Sequence, residues 1–382
     1  MRIGIAGAGL LGRLLAWHLS RQGHEVHVHD PAPHALPTHD GRGAAGFTAA
    51  GMLSPLAELD TAEPDVAARG WHSIAHWQAI AADMGAHIAP HAPPHFAQNG
   101  SLMVAHGPDL GAARRVLSRL ERTQAPLAAG FAAHPAPQAS AQAQALNPEQ
   151  LRSLEPELHG SGGPLHAWLL PGEAHIDTVA MMQALHDDAP GVRWHWGASV
   201  QQVTPGCLWL AESPTAPATP RTFDLVCDVR GVGARATLAV RGVRGEVVWL
   251  HAPGVALHRP VRLLHPRHRI YIVPRPGDRL LVGASELETE DRGTVTLRSA
   301  VELMAAAHSI LPALAEARIL RLDANLRPAL PDHRPHVHTE PGLMRLNGLY
   351  RHGWLLAPSL VDEALRALAL PGLPGTSIAP SA

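Results

Sequence analysis

The chain has 382 residues, which is enough for two domains or two interleaved lobes around a sizeable core. Its 31 Arg and Lys residues against 33 Asp and Glu residues give a formal net charge of -2. A balance this close to neutral excludes strong electrostatic attraction to nucleic acid or to an anionic membrane. We therefore expect a small molecule as the partner, and neither nucleic acid nor membrane.

Metal and disulfide sites have no support in the sequence. The only cysteines are Cys207 and Cys227, which form no C-x-x-C pair. The 27 histidines are scattered and match no recognised metal-ligand spacing, so we expect no metal. The N-terminus lacks the apolar core and cleavage site of a signal peptide, and no run of about 18 apolar residues occurs. These features predict a soluble, cytoplasmic protein.

The first thirty residues predict a βαβ unit. Residues 2–6 form a short apolar run typical of a buried parallel strand, and residues 10–22 place apolar groups at helical spacing. Gly23 ends this helix, and the alternating segment EVHVHD forms a second strand that ends at Asp30.

A dinucleotide-binding motif lies inside this unit. Gly7, Gly9 and Gly12 form G-x-G-x-x-G between the first strand and the helix. Glycines there allow a tight turn and a close approach of backbone to a pyrophosphate, whose charge lies at the helix N-terminus. Asp30 stands where a carboxylate can accept hydrogen bonds from ribose hydroxyls. The motif predicts binding of an ADP-containing cofactor but leaves NAD and FAD open, because both contain this half.

The next elements follow in chain order. Residues 44–59 are rich in small side chains, which indicates backbone packed closely against a flat group. Residues 65–85 predict an amphipathic helix with apolar residues on one face. Residues 124–146 are rich in Ala, Pro and Gln without a persistent period, and we expect a surface loop. The apolar face of the 65–85 helix comprises Trp71, Ile74, Trp77 and Ile80.

The second half alternates between strands and helices. Asp177 is a candidate N-cap of a helix, and alternating strands follow around residues 192–203. Residues 245–285 contain strand-like runs separated by turns, which predicts an antiparallel sheet. Residues 297–311 are helical in period, and residues 343–368 combine a strand, a glycine-containing turn and a helix expected to begin near Ala357. Residues 371–382 read as a disordered tail.

Four further segments resemble the D-amino-acid oxidase superfamily of FAD-dependent oxidoreductases, and more closely its glycine oxidase branch. With the N-terminal motif they occur in the order of that family over nearly the whole chain. They are AAGMLSP at 49–55, IYIVPR at 270–275 with LVGASE at 281–286, NLRPALPD at 325–332, and GLYRHGWLLAP at 348–358.

The resemblance implies an α/β fold with a discontinuous Rossmann-like FAD-binding domain of the GR2 type. This domain would comprise residues 1–85, about 145–235 and 325–370. A second, substrate-binding domain built on an antiparallel sheet would comprise residues about 86–144 and 236–324. The flavin ring would contact the AAGM segment on one side and the YRHGWLL segment near its pyrimidine end. The residues implied to bind FAD are Gly7, Ala8, Gly9, Leu10, Leu11, Gly12, Asp30, Pro31, Ala45, Gly46, Ala50, Gly51, Met52, Val200, Gly231, Leu349, Tyr350, Arg351, His352, Gly353, Trp354 and Leu355.

Five residues are implied at the substrate. Arg327 matches the guanidinium that holds the substrate carboxylate, a task suited to a planar, bidentate cation, with a pair to Asp332 or exposure on a loop as the alternative. Tyr271 matches a tyrosine on the carboxylate side of the pocket, although a strand tyrosine also packs in cores. Arg351, Met52 and Glu286 complete the set. The alternative is a structural ion pair for Arg351, core packing for Met52 and exposure to solvent for Glu286.

The implied reaction is oxidative deamination of glycine or a similar small amino acid. The Cα hydride passes to non-covalently bound FAD and dioxygen reoxidises the flavin to give hydrogen peroxide, with thiazole synthase in thiamine biosynthesis as a possible consumer of the imine. A histidine link to FAD stays open. The alternatives are a dehydrogenase with another electron acceptor, a different amine such as sarcosine, proline or a D-amino acid, and a non-catalytic nucleotide sensor. Relatives in this family are often homo-oligomers.

Overall fold

The computed structural model describes residues 1–87, 95–130, 142–189, 191–211 and 216–375. Its helices are α1 (Leu10–Arg21), α2 (Ala45–Thr48), α3 (Pro55–Glu58), α4 (Pro64–His87), α5 (Leu110–Gly130), α6 (Pro148–Leu154), α7 (Thr178–Asp187), α8 (Leu297–Ile310) and α9 (Gly353–Ala367). Short 3₁₀ turns lie at Gly107–Asp109, Gly231–Ala234, Pro312–Glu316 and Tyr350–His352.

Within the described residues, the strands form two large and two small sheets. They are β1 (Arg2–Ala6), β2 (Glu25–Asp30), β3 (Met52–Leu53), β4 (Phe96–Ala97), β5 (Ser101–Ala105), β6 (Gln144–Leu146), β7 (His166–Leu170), β8 (Ala174–Ile176), β9 (Arg193–Trp196), β10 (Ser199–Thr204), β11 (Cys207–Ala211), β12 (Thr219–Thr222), β13 (Leu225–Asp228), β14 (Arg241–His251), β15 (Val261–Leu263), β16 (Ile270–Arg275), β17 (Arg279–Gly283), β18 (Arg318–Ala329), β19 (His336–Glu340) and β20 (Leu343–Asn347).

The first large sheet is the predicted dinucleotide-binding sheet. Its strand order is β19-β20-β13-β1-β2-β9, and all neighbours are parallel except β19 and β20. From β1 the chain proceeds outward through β2 to β9 and then returns to the other side at β13. This reversal creates a crevice at the carboxyl ends of β1 and β13, which is where open parallel sheets bind ligands.

The βαβ unit has the predicted bounds, with α1 one residue shorter than expected at its C-terminus. Ile3, Ile5, Val26 and Val28 are buried against the apolar face of α1. Gly12 allows this close approach, because a Cβ there would lie 1.8 Å from the carbonyl oxygen of Gly7. The glycine spacing therefore positions the N-terminus of α1 directly beneath the turn that follows β1.

The second large sheet has the order β18-β14-β17-β16-β15-β5-β7-β6. All of its pairs are antiparallel except β15 and β5, so the expected antiparallel sheet contains one parallel pair. One face packs against α8 through alternating apolar residues such as Val248, Ile272 and Val282. The opposite face carries Val247, Tyr271 and the other residues of the site described below. Alternation along the strands thus separates a structural face from a functional face.

The sheets also show where the predicted domain boundaries depart from strand pairing. Strand β7 falls within 145–235, which was assigned to the FAD-binding domain, yet it pairs with β5 of the eight-stranded sheet. Strand β18 crosses the boundary at residue 325 and also belongs to that sheet. Strand pairing, which has no local sequence signal, decides the sheet of both segments. The domain division itself stays a prediction.

The expected loop at 124–146 is wrong at both of its ends. Helix α5 continues to Gly130, and β6 covers Gln144–Leu146, where it pairs with β7. Leu and Ala residues, which have high helix propensity, extend the helix through this stretch despite Pro126. Residues 131–141 of the expected loop lie outside the described residues.

The final helix begins at Gly353, four residues before the expected start near Ala357. Pro358 therefore lies inside α9, where its missing N–H leaves the carbonyl oxygen of Trp354 without a helical donor. Nε1 of Trp77 on α4 donates a 2.8 Å hydrogen bond to that oxygen. A side chain distant in sequence thus satisfies the group that proline leaves free, which is why the helix tolerates Pro358.

The expected disordered tail is wrong for residues 371–375, and residues 376–382 lie outside the described residues. Leu373 is buried and its N–H donates to Oδ1 of Asp362 on α9 at 2.8 Å. The carbonyl oxygens of Pro371 and Pro374 bond to His18 and His76. These contacts hold the start of the tail against the helices, which a composition rich in Pro and Gly does not reveal.

Other predictions from periodicity are confirmed. Helix α4 buries Trp71, Ile74, Trp77 and Ile80, α7 is capped by Asp177, and α8 begins at residue 297 as expected.

Within the described ranges, no helix is long and apolar enough to cross a membrane. The same part of the chain contains no cluster of three or more His, Cys, Asp or Glu residues that could hold a metal ion.

Candidate active site

One continuous cavity of about 1490 Å³ connects the two large sheets. It begins at the turn after β1, passes the segment from Arg42 to Met52 and the N-terminus of α9, and ends on the functional face of the eight-stranded sheet. Its elongated path suits an extended dinucleotide, with a nucleotide end at the first sheet and a reaction end at the second.

Asp30 organises the nucleotide end. Its Oδ2 accepts a 2.6 Å hydrogen bond from the N–H of Ala8, and its Oδ1 accepts a 2.8 Å bond from the N–H of Ala32. A carboxylate oxygen can accept more than one hydrogen bond, so Asp30 keeps acceptor capacity for ribose hydroxyls while it fixes the glycine-rich turn. Gly9 is open to the cavity, since the nearest atom to a Cβ there would be the Cβ of Ala44 at 3.8 Å.

Arg13 supports the same turn from behind. Its guanidinium donates to the carbonyl oxygens of Ala8, Met182 and Ala35 at 2.9, 2.8 and 2.6 Å. Burial lowers the pKa of Arg13 to about 10, which still leaves the group charged at neutral pH. This buried cation ties the glycine-rich turn to α7 and to the loop after β2.

The middle of the cavity is lined by small residues and by the start of α9. Gly51 has a φ of +64° and packs so closely that a Cβ would lie 2.3 Å from the carbonyl oxygen of Ile176. Nε1 of Trp354 donates to the carbonyl oxygen of Gly46 at 3.0 Å and joins α9 to this segment. The first turn of α9 contains no acidic residue, so its N-terminal amides favour a negative charge in the cavity.

Most of the residues predicted to bind FAD surround this cavity. Ala8, Gly12 and His352 do not line it: Ala8 bonds to Asp30, Gly12 packs on Gly7, and His352 lies against Glu58. Those that line it are Gly7, Gly9, Leu10, Leu11, Asp30, Pro31, Ala45, Gly46, Ala50, Gly51, Met52, Val200, Gly231, Leu349, Tyr350, Arg351, Gly353, Trp354 and Leu355. The glycine cradle, the carboxylate and the helix N-terminus together fit FAD, and the role of each residue stays a prediction.

Arg327 lies at the reaction end. Its Nη1 and Nη2 each donate to the carbonyl oxygen of Ser285 at 3.1 Å. Nη1 also donates a longer bond of 3.4 Å to the carbonyl oxygen of Arg244. Within the described residues no carboxylate pairs with Arg327, and the alternative pair with Asp332 is absent. Its positive charge is therefore available to an anionic ligand.

Both tyrosines of the chain lie near this guanidinium. Burial raises the pKa of Tyr271, against the opposing influence of Arg327 and other arginines. Burial, together with the hydrogen bond to Glu286, also raises the pKa of Tyr350. Both phenols are therefore neutral hydrogen-bond donors at physiological pH. The hydroxyl of Tyr350 donates to Oε1 of Glu286 at 2.6 Å, which holds that carboxylate at the cavity wall.

Arg351, in contrast with Arg327, is paired with carboxylates. Its Nη2 lies 3.2 Å from Oε2 of Glu58, and its Nη1 lies 3.5 Å from Oε2 of Glu286. The ion pair that the sequence offered as the alternative for Arg351 is thus present, although the residue also lines the cavity. Met52 is half-buried, packs against the apolar cluster that contains Ala50 and Val247, and lines the same cavity.

Glu58 and Arg262 are members of the site that sequence reasoning missed. Glu58 is 9% exposed and contacts Arg262, Arg351 and His352 at 3.0, 3.2 and 3.4 Å. Although burial alone would raise its pKa, these cations hold the pKa of Glu58 down at about 2. The signal available in the sequence was an acid in the stretch 52–59, where Ser54 is the only other polar residue, and its cationic partners come from residues more than 200 positions away.

Comparisons with known proteins agree with this geometry. Residues 2–362 match the family model described as DAO, FAD dependent oxidoreductase. A putative thiamine biosynthesis oxidoreductase ThiO from Rhizobium etli is 36% identical over 96% of each chain. The crystal structure of glycine oxidase from Geobacillus kaustophilus aligns with a TM-score of 0.76 at 22% identity, over 97% of this chain and 95% of that one. Iminodiacetate oxidase from Chelativorans sp. BNC1 aligns with a TM-score of 0.77 at 23% identity, over 97% and 96%.

The resemblance inferred from the sequence motifs is therefore confirmed, as are the α/β fold class and FAD as the cofactor. Neither Cys207 nor Cys227 is among the cavity-lining residues that the structure describes. The chain belongs to the DAO family of FAD-dependent oxidoreductases, as an enzyme of the glycine oxidase and ThiO type.

Proposed function

We propose that the protein oxidises glycine or a similar small amino acid at the bond between Cα and the amino nitrogen. The observation that carries this proposal is the guanidinium of Arg327, which faces the cavity without a carboxylate partner in the described structure. A partly buried cation of this kind favours an anionic ligand, and a planar guanidinium suits a carboxylate.

The side chains have distinct roles in this proposal. Arg327 binds the substrate carboxylate, and the neutral hydroxyl of Tyr271 on β16 donates to it. Main-chain carbonyls near Arg351 accept from the amine, which reacts in its uncharged form. Bound FAD supplies a two-electron hydride acceptor. Because no side chain needs to form or break a covalent bond, the contribution of this chain to the rate is the positioning of Cα.

The overall reaction is balanced with dioxygen as the oxidant. The amino acid loses a hydride and a proton to give an imine, and water hydrolyses the imine to ammonia and a 2-oxo acid. Dioxygen accepts the two electrons and two protons and becomes hydrogen peroxide. We also propose that the imine of glycine serves thiazole formation with thiazole synthase as partner, which the relative named for thiamine biosynthesis supports.

The test is anaerobic addition of glycine to the purified, FAD-loaded protein. Loss of the flavin absorbance near ~450 nm, followed by its return in air with release of one peroxide per turnover, is the expected result. Bleaching without peroxide would assign a dehydrogenase with another acceptor. Bleaching by sarcosine, proline or a D-amino acid but not by glycine would reject glycine and keep the reaction class.

A further inference from the structure

Two glycines lie directly beneath the side chains proposed to hold the substrate carboxylate. On the functional face of the eight-stranded sheet, Tyr271 of β16 pairs with Gly283 of β17, and Gly283 pairs with Val247 of β14. Gly245 precedes Val247 by two residues and therefore faces the same side of the sheet. Both Gly245 and Tyr271 line the cavity.

Gly283 lies directly beneath the ring of Tyr271. A Cβ at Gly283 would lie 2.6 Å from the phenol oxygen and 2.6 Å from Cε2 of Tyr271. Carbon atoms in van der Waals contact lie about 3.5–4.0 Å apart, so a methyl group and the ring in its present position exclude each other. The ring of Tyr271 lies flat across β17 because this position has no side chain.

Gly245 lies directly beneath the guanidinium of Arg327. A Cβ at Gly245 would lie 2.4 Å from Cζ and 2.4 Å from Nη2 of Arg327. The guanidinium reaches the carbonyl oxygen of Ser285 across this glycine. Neither Gly245 nor Gly283 has a positive φ, and the three atoms nearest to a Cβ at each position belong to the side chain above it, Arg327 or Tyr271.

The two glycines are diagonal neighbours on the sheet, and one donor lies above each of them. Since Val247 is opposite Gly283, Gly245 is the diagonal neighbour of Gly283. Diagonal neighbours in an antiparallel pair lie about 7–8 Å apart. A carboxylate whose oxygens each accept a hydrogen bond of about 2.8 Å spans a gap of this order between a guanidinium and a phenol.

We infer that Gly245 and Gly283 are positioning residues that set the depth and spacing of a clamp for one carboxylate between Arg327 and Tyr271. This inference rests on the proposed function and goes beyond it. Both donors lie close to the backbone of the sheet, so the ligand carboxylate binds against the sheet. The Cα of the ligand then lies on the cavity side, towards the N-terminus of α9. A methyl group at either glycine displaces the donor above it away from the sheet. The donor is still present, but it no longer lies where the carboxylate can accept from both side chains.

The test compares Gly245→Ala with Gly242→Ala in the FAD-loaded protein. Gly242 lies on the same strand, and a Cβ there would lie 2.8 Å from the Leu326 side chain, an apolar neighbour in place of Arg327. Both variants therefore introduce a methyl group between β14 and a β18 side chain. Acetate, a carboxylate without an amine, is titrated by its change in the flavin spectrum, and KM and kcat are measured with glycine.

We expect Gly245→Ala to weaken acetate binding and raise KM about tenfold or more, with the same FAD content as the wild type. Gly283→Ala is expected to have a smaller effect in the same direction, because it displaces a neutral donor. Gly242→Ala should retain acetate affinity within about twofold. Equal losses in Gly245→Ala and Gly242→Ala, or wild-type acetate affinity in Gly245→Ala, would overturn the inference. If the wild type binds neither acetate nor glycine, the proposed function fails instead.

Discussion

The guanidinium of Arg327 donates two 3.1 Å hydrogen bonds to a single acceptor, the carbonyl oxygen of Ser285. A neutral carbonyl orients the guanidinium but does not neutralise it. Arg351 shows the contrasting case, since its charge is offset by Glu58 and Glu286. The two arginines therefore have different electrostatic roles, although both line one cavity.

Arg327→Lys should reduce glycine and acetate affinity by about 10- to 100-fold, because the compact ammonium of lysine cannot reproduce the position and planar shape of the guanidinium. The measurement is KM for glycine together with the acetate dissociation constant. Arg321→Lys is the matched control, since Arg321 lies on the same strand, pairs with Asp323 at 2.7 Å and is not among the cavity-lining residues described. Unchanged acetate affinity in Arg327→Lys would contradict the assignment.

Asp30→Ala should weaken FAD binding about tenfold or more. The substitution removes acceptors for the N–H groups of Ala8 and Ala32 as well as those offered to the cofactor. Fluorescence titration of the apoprotein with FAD measures the effect. Asp224 is the control, because it also accepts from a backbone N–H, that of Arg2 at 2.7 Å, away from the cavity. Equal FAD affinity in Asp30→Ala and Asp224→Ala would refute the role of Asp30.

Trp77→Phe should destabilise the fold by about 2–4 kcal/mol, through lost packing and through loss of the donor to the Trp354 carbonyl oxygen. The hydrogen-bond share is isolated by a double-mutant cycle with Pro358→Ala, which restores a helical N–H to that oxygen. In the Pro358→Ala background, Trp77→Phe should cost about 1 kcal/mol less, as measured by urea unfolding. Additive costs would show that the Trp77 bond does not compensate for the proline.

Glu58→Gln should reduce stability at pH 7 by about 2–4 kcal/mol, since it leaves Arg262 and Arg351 without their shared anion. The folded-state pKa of about 2 lies below the ordinary glutamate value of 4.5, so the ionised carboxylate stabilises the fold above pH 4.5 and this stabilisation is lost as the pH falls towards 2.

The difference in unfolding free energy between wild type and Glu58→Gln should therefore shrink as the pH falls from about 5 towards 2. Glu302→Gln is the control, because its pair with Arg298 is exposed and contributes little. A wild-type advantage over Glu58→Gln that stays constant with pH would show that charge is not the cause.

The sequence predicted the parts of this protein that depend on neighbours along the chain. The turn at Gly7, Gly9 and Gly12 and the acid at Asp30 were readable because their spacing is local and their geometry admits few other residues. The helix face of Trp71 and Trp77 followed from periodicity for the same reason.

Only the tertiary structure decided which cations keep their charge available for a ligand. Arg262, Arg327 and Arg351 are the same residue type and line the same cavity, and they differ because Glu58 reaches Arg262 and Arg351 but not Arg327. The glycines under Arg327 and Tyr271 were equally invisible, since strand register places them there. Pairing across strands and charge compensation depend on distances between remote segments, and no local pattern encodes those distances.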